Sequence, residues 1–200
     1  ELNAVRAKSA SVVQGDLLAY NALKGLVVHA ASEFGRLDGL VNNASAFYPT
    51  PVGQIDEDNW TELIDSNLKA PLFLSQAAAP YLKKNVGNIV NIIDIHAERP
   101  LKDFVVYTIA KAGLAGLTRS LALELGPEIR VNGVSPGAIL WPDGGHDYPQ
   151  AERQRIVEQT PLQRVGSPTD IAGAVKYLML DAPYVSGQIL AVDGGRSVAL

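Results

Sequence analysis

Three side chains within one short stretch could carry out acid–base chemistry: Asp94, Tyr107 and Lys111. Tyr107 and Lys111 are four residues apart, so on a helix they share one face and can point at the same place. A phenol with a pKa near 10 is a sluggish acid at neutral pH, and a neighbouring cation favours its phenolate. With the Lys111 ammonium beside it, Tyr107 could donate a proton near pH 7. Asp94 stands thirteen residues before Tyr107, where the strand leading into this helix ends. An ionised carboxylate accepts hydrogen bonds and donates none. It would therefore stabilise a developing alkoxide poorly and suit a ligand that presents N–H groups. The plain alternative is a solvated Tyr–Lys pair and an Asp that caps a loop.

These groups need elements to hold them. Residues 87–95 are dense in Ile and Val and read as a buried strand, and residues 105–125 read as a long helix that carries Tyr107 and Lys111. Further strands are expected at residues 9–14, 37–41, 129–134 and 188–192. Helices are expected at 18–34, stopped by Gly35, at 56–83, capped by Asp56, and at 150–159 and 168–180. Residues 138–149 hold Pro and Gly without periodicity and read as a loop. Strands alternating with helices imply an α/β fold: a Rossmann-like, doubly wound parallel sheet with helices on both faces. In such sheets ligands bind at the C-terminal ends of the strands, where Asp94 is expected. Residues 1–200 read as a single domain without linker or repeat.

Pro71 adds a local signal. It has no N–H, so the carbonyl of Asn67 four residues earlier loses its normal helical bond and could hold a water, with a kink expected there. An aromatic, Phe47, follows an Asn-rich strand end and suits a flat heteroaromatic ligand.

Composition removes several classes. A net charge of −4 and no Lys/Arg cluster argue against a nucleic-acid surface. No apolar run approaches the roughly 20 residues of a membrane helix, and the N-terminal residues look like helix and not like a signal peptide. The absence of cysteine excludes thiolate catalysis and Cys-ligated metals, and fits a cytoplasmic protein. His96 lies two residues from Asp94, but His29 and His146 are distant and no metal-ligand spacing exists. His96 reads as a structural loop residue, with Glu98 and Arg99 in a loop or subunit contact. A dinucleotide-binding fold should open with a strand and a Gly-rich turn that holds a pyrophosphate. None is present in this numbering. We expect the first βα unit or units upstream of Glu1; a chain without a phosphate cradle is the alternative.

Taken together, the chain resembles the short-chain dehydrogenase/reductase family. The carriers are Asn42-Asn43-Ala44 after a strand, Asn67, Tyr107-x-x-x-Lys111, Pro136-Gly137 and the closing Val192-Asp193-Gly194-Gly195. Within that family it looks like a pteridine reductase. The matching segments are Asn43-Ala44-Ser45-Ala46-Phe47-Tyr48-Pro49, Asp94-Ile95-His96-Ala97-Glu98-Arg99-Pro100 and Pro136-Gly137-Ala138-Ile139-Leu140-Trp141-Pro142. Most members of the family carry Ser where Asp94 stands, and pteridine reductases carry Asp.

The resemblance implies NADPH/NADP+ as cofactor and a pterin or dihydropterin as substrate. Asp94, Tyr107, Lys111 and Asn67 would be catalytic, Lys111 also holding the nicotinamide ribose and the Asn67 carbonyl anchoring a relay water. Asp16, with Leu17 beside it, would meet the adenine, and Asn43 and Ala44 would line the cofactor. Ser45 would contact substrate or a cofactor phosphate. Pro136, Gly137 and Ile139 would cover the nicotinamide. Phe47 would stack on the pterin against it, and Tyr48 and Trp141 would line the mouth. A homotetramer is the assembly implied. Preference for NADPH over NADH rests on the resemblance alone. Two other readings stand beside this one. One is another short-chain reductase acting on a 3-oxoacyl or sugar carbonyl; the other is a non-catalytic relative of the fold.

Overall fold

Parallel pairing joins β1 (Gly39–Asn42), β2 (Asn88–Ile92), β3 (Arg130–Pro136) and β4 (Ile189–Val192) into one sheet in the order β1-β2-β3-β4. The computed structural model describes residues 1–141 and 149–199. Parallel neighbours need crossover connections, and helices supply them. The expected Rossmann-like sheet with helices on both faces is the architecture found.

Alternation along β2 decides which layer each residue meets. Ile89 faces the layer of α2 (Tyr20–Glu33), α4 (Ala70–Lys84) and α5 (Val105–Leu125), packing with Val27, Ala78, Leu82, Ile129 and Val131. Val90 faces the opposite layer, where α7 (Pro168–Lys176) and a following π-helical turn (Tyr177–Asp181) bring Ile171, Leu178 and Ala182 against Val134. Each fully buried Val, Leu or Ile contributes roughly 1.5–3 kcal/mol. The strands read as near-continuous apolar runs because both sheet faces are covered.

A polar row crosses the sheet among these side chains. Asn42, Asn91 and Gly133 are register partners on successive strands. The Asn42 amide donates to Asn91 Oδ1 at 2.8 Å, and the Asn91 amide donates to Thr118 Oγ1 at 2.9 Å. Asn91 and Thr118 are wholly buried. Replacing Asn91 by Ala removes two buried hydrogen bonds, worth about 0.5–1.5 kcal/mol each. It leaves Thr118 its bond to the Leu114 carbonyl at 2.8 Å and Asn42 a long one to Ser75 Oγ at 3.4 Å. The Asn91→Ala variant is expected to unfold at a clearly lower urea concentration with an unchanged m-value.

Capping fixes where the helices begin. The Asp56 carboxylate accepts from the Asn59 N–H at 2.8 Å, starting α3 (Glu57–Ile64). Ser167 and Asp170 do the same reciprocally for α7. The helix expected from residue 56 to 83 is not continuous. A π-helical turn, Asp65–Lys69, separates α3 from α4, so where a kink is expected around Asn67 and Pro71 the helix has one widened turn. The helix expected over 168–180 likewise ends in a π turn.

One expected strand is overturned. Residues 9–14 form no strand, because no neighbouring chain pairs with them. Ser9 and Ala10 donate their N–H groups to Asn3 Oδ1, beside the short helix α1 (Leu2–Val5). Much of the expected 138–149 loop, including Pro142 and His146, lies outside the described residues; α6 (Gln150–Glu158) follows it. Among the described residues, no helix is long and apolar enough to cross a membrane.

Candidate active site

Asp94 lies two residues past the end of β2, where the chain turns sharply. Its Oδ1 accepts from the His96 N–H at 2.8 Å, capping a single 3-10 turn, Ile95–Ala97. That bond aims Oδ2 at α5, and the Tyr107 hydroxyl donates to it at 2.7 Å. Tyr107 is buried in the first turn of α5, on the helix stripe of Val106, Ala110, Lys111 and Leu114 that packs towards the sheet.

One turn further on, Lys111 is 2% exposed, and its Nζ donates to the Ile92 carbonyl at 3.0 Å. The ammonium lies 5.6 Å from the centre of the Tyr107 ring. Burial lowers its pKa to about 8, against the opposing pull of the Asp94 charge. An ammonium has three N–H donors. Among the described residues, the Ile92 carbonyl is the one acceptor within hydrogen-bond reach of it.

Phe47 closes the other side. It stacks on Phe104 with centroids 4.5 Å apart and meets Tyr107 edge-on at 4.8 Å. Its loop is tied down by Asn67, which is 1% exposed and sits in the π turn. The Asn67 side chain accepts from Ser45 Oγ at 2.7 Å and donates to the Ala46 and Leu63 carbonyls, both at 3.0 Å. Sequence reasoning attended to the carbonyl of Asn67; its side chain has this further task.

Asn43, Ser45, Phe47, Asp94, Tyr107, Pro136, Gly137, Ile139 and Trp141 all line one cavity of about 1120 Å³ at the C-terminal ends of the strands. Gly137 must be glycine for a local reason. A Cβ there would sit 2.8 Å from the Cα of Asp193, where the loop after β3 presses on the segment after β4. Trp141 lies on the rim with the Arg153 guanidinium 5.2 Å from its ring centre.

Other expected site residues fall outside the cavity wall, the buried Lys111 and Asn67 among them. Asp16 is exposed and accepts from the Leu18 N–H at 2.9 Å; Leu17 is beside it. Ala44 is exposed between Asn43 and Ser45. Tyr48 turns away and donates to Glu62 at 3.0 Å. Three polar residues that sequence reasoning did not assign do line the cavity: Lys176 at the end of α7, which no motif marked, and His96 and Arg196. For His96 and Arg196, their positions beside Asp94 and the Asp193-Gly194-Gly195 turn were the available signals. Among the described residues, no group of three or more His, Asp and Glu side chains could hold a metal ion.

The arrangement is a proton-transfer site beside the Phe47 ring on a Rossmann-like sheet, the frame of a nicotinamide-dependent oxidoreductase. The family described as enoyl-(acyl carrier protein) reductase matches residues 2–197. Pteridine reductase 1 of Leishmania tarentolae is 36% identical over 98% of this chain and 81% of its own length. The 3-oxoacyl-[acyl-carrier-protein] reductase of Thermotoga maritima is 34% identical over 86% of this chain and 71% of its own. A solved structure of a short-chain dehydrogenase/reductase (glucose/ribitol dehydrogenase) from Brucella melitensis superposes with a TM-score of 0.86 at 29% identity, covering 96% of this chain and 77% of that one. An apo SCOR enzyme from Clostridium thermocellum gives a TM-score of 0.82 at 32% identity, over 93% and 73%. The chain belongs to the short-chain dehydrogenase/reductase family of oxidoreductases.

Proposed function

We propose that this oxidoreductase reduces pterins or dihydropterins with NADPH. The observation that carries the reading is the hydrogen bond between Tyr107 and a carboxylate, Asp94, beside the aromatic face of Phe47. A carboxylate in that position accepts from ring and exocyclic N–H groups, which a pterin has and a simple ketone lacks.

The residues fit the nicotinamide half of the cofactor. Lys111 is a buried ammonium with donors to spare, suited to ribose hydroxyls, and Pro136, Gly137 and Ile139 line the cavity a nicotinamide would enter. The described residues contain no Gly-rich turn for the pyrophosphate. When bound, the cofactor supplies a hydride to carbon. The chain's own residues manage the proton. Tyr107 donates to the ring nitrogen next to that carbon, and a proton reaches Tyr107 again through Asp94 from solvent. Lys111 stabilises the phenolate left behind, while Phe47 holds the heterocycle flat.

The test is steady-state NADPH oxidation with a panel of dihydrobiopterin, dihydrofolate and a 3-oxoacyl thioester. Turnover of the pterins with a kcat/KM well above that for the thioester is expected. Turnover of the thioester alone would favour the second reading, a 3-oxoacyl reductase. That reading is supported by the Thermotoga maritima relative and by an apolar cavity wall that includes Leu101, Leu140 and Ile156. For assembly we propose a homotetramer, supported by the exposed apolar Ile109 and Leu123 on α5.

A further inference from the structure

His96 lies on the cavity wall beside Asp94, and its ring is oriented by a specific bond. Its Nδ1 is 2.7 Å from the Arg99 carbonyl oxygen. A carbonyl can only accept, so this contact assigns the proton to Nδ1. In the neutral ring that leaves Nε2 as a bare acceptor. The same residue's backbone N–H holds Asp94 Oδ1 at 2.8 Å. One short turn therefore carries both the carboxylate and an oriented imidazole, and both residues line the cavity.

From this geometry we infer that His96 is a specificity-determining substrate contact, its Nε2 accepting a hydrogen bond from an N–H group of an amino-substituted nitrogen heterocycle. The inference rests on the pterin reading and goes beyond it by naming a second acceptor. Two acceptors from cavity-lining residues, the Asp94 carboxylate and His96 Nε2, suit a ligand edge with two N–H groups. They oppose a ligand edge made of carbonyl oxygens, which would leave acceptors facing acceptors. The bond to Arg99 holds the ring, so little side-chain freedom is lost on binding.

Two substitutions separate this role from that of a loop anchor. In His96→Gln the side-chain amide reaches the position of Nε2 and keeps an acceptor there. In His96→Asn the shorter amide reaches the position of Nδ1 and keeps the bond to Arg99. The full-length enzyme with NADPH is assayed with a 2-aminopterin and its 2-deamino analogue, together with thermal melts and pterin binding by fluorescence quenching. We expect His96→Asn to raise both KM and Kd for the aminopterin about tenfold, as for one lost hydrogen bond, with kcat nearly unchanged. His96→Gln should stay within about threefold of the parent. The deamino analogue should bind all three proteins alike.

Rescue by Asn and not by Gln would overturn the inference and leave His96 as an anchor of the turn. Equal losses for both pterins would overturn it as well, as would unchanged constants in both variants. If the parent enzyme turned over neither pterin, the pterin reading would fall and this inference with it, whereas normal parent turnover with unaffected variants would remove His96 alone.

Discussion

Replacing Tyr107 by Phe is expected to lower kcat for pterin reduction by about 10²–10⁴-fold, the usual worth of a positioned general acid. The dissociation constant for NADPH should remain within a few-fold of the parent. The substitution removes only the hydroxyl that donates to Asp94 at 2.7 Å. The ring and its edge-on packing against Phe47 at 4.8 Å remain available. Since the proton is delivered only as the ring nitrogen is reduced, kcat and kcat/KM should fall together. Binding is measured by quenching of protein fluorescence and chemistry by single-turnover NADPH oxidation. Near-normal single-turnover rates in Tyr107→Phe would remove Tyr107 from the proton path, and would point to Asp94 as direct donor.

What the sequence made legible follows from which interactions are local. The helix at 105–125 was readable to its ends, because Tyr107 and Lys111 share a stripe with Ala110, Leu114 and Thr118 at helical spacing. Asp94 could be placed at a strand end from the apolar run of β2 alone. The strand expected at 9–14 failed for the opposite reason. An apolar pattern expresses a capacity to pair, and no neighbouring chain pairs there. Pro71 announced a disturbance at Asn67, but sequence could not say that the helix would absorb it as a π turn. Nor could it say that the Asn67 side chain would tie Ser45 and Ala46 to that turn.

His96 shows the same division. Its neighbourhood to Asp94 is plain in the sequence, but its tautomer depends on the Arg99 carbonyl, which only the fold of the turn brings to 2.7 Å. The apparent anomaly of a buried Lys111 is also tertiary in origin. Helical spacing puts it beside Tyr107, and the packing of α5 on the sheet then removes it from water.

That desolvation leads to a pH dependence centred on Lys111. With its pKa lowered from 10.5 to about 8 by burial, the side chain is an ammonium below about pH 8 and a neutral amine above it. Only the ammonium can favour the Tyr107 phenolate electrostatically, and it is the better donor to ribose hydroxyls. We therefore expect kcat/KM to be level below about pH 8 and to fall towards tenfold per pH unit above it, since kcat/KM reports groups of the free enzyme. A guanidinium stays charged throughout this range. The Lys111→Arg variant should lose the alkaline limb between pH 8 and 10, at a lower plateau, because the planar fork does not reproduce a compact ammonium. Lys111→Met, which removes the charge at every pH, should lower kcat/KM about 10²–10³-fold, as when one preorganised donor is removed. The sign separates this from titration of another group. If the limb belonged to another group or to substrate, Lys111→Arg would keep it at the same pH, and the same midpoint in both enzymes would refute the assignment. A limb abolished by Arg identifies the buried ammonium as the cation that lets a phenol work as an acid.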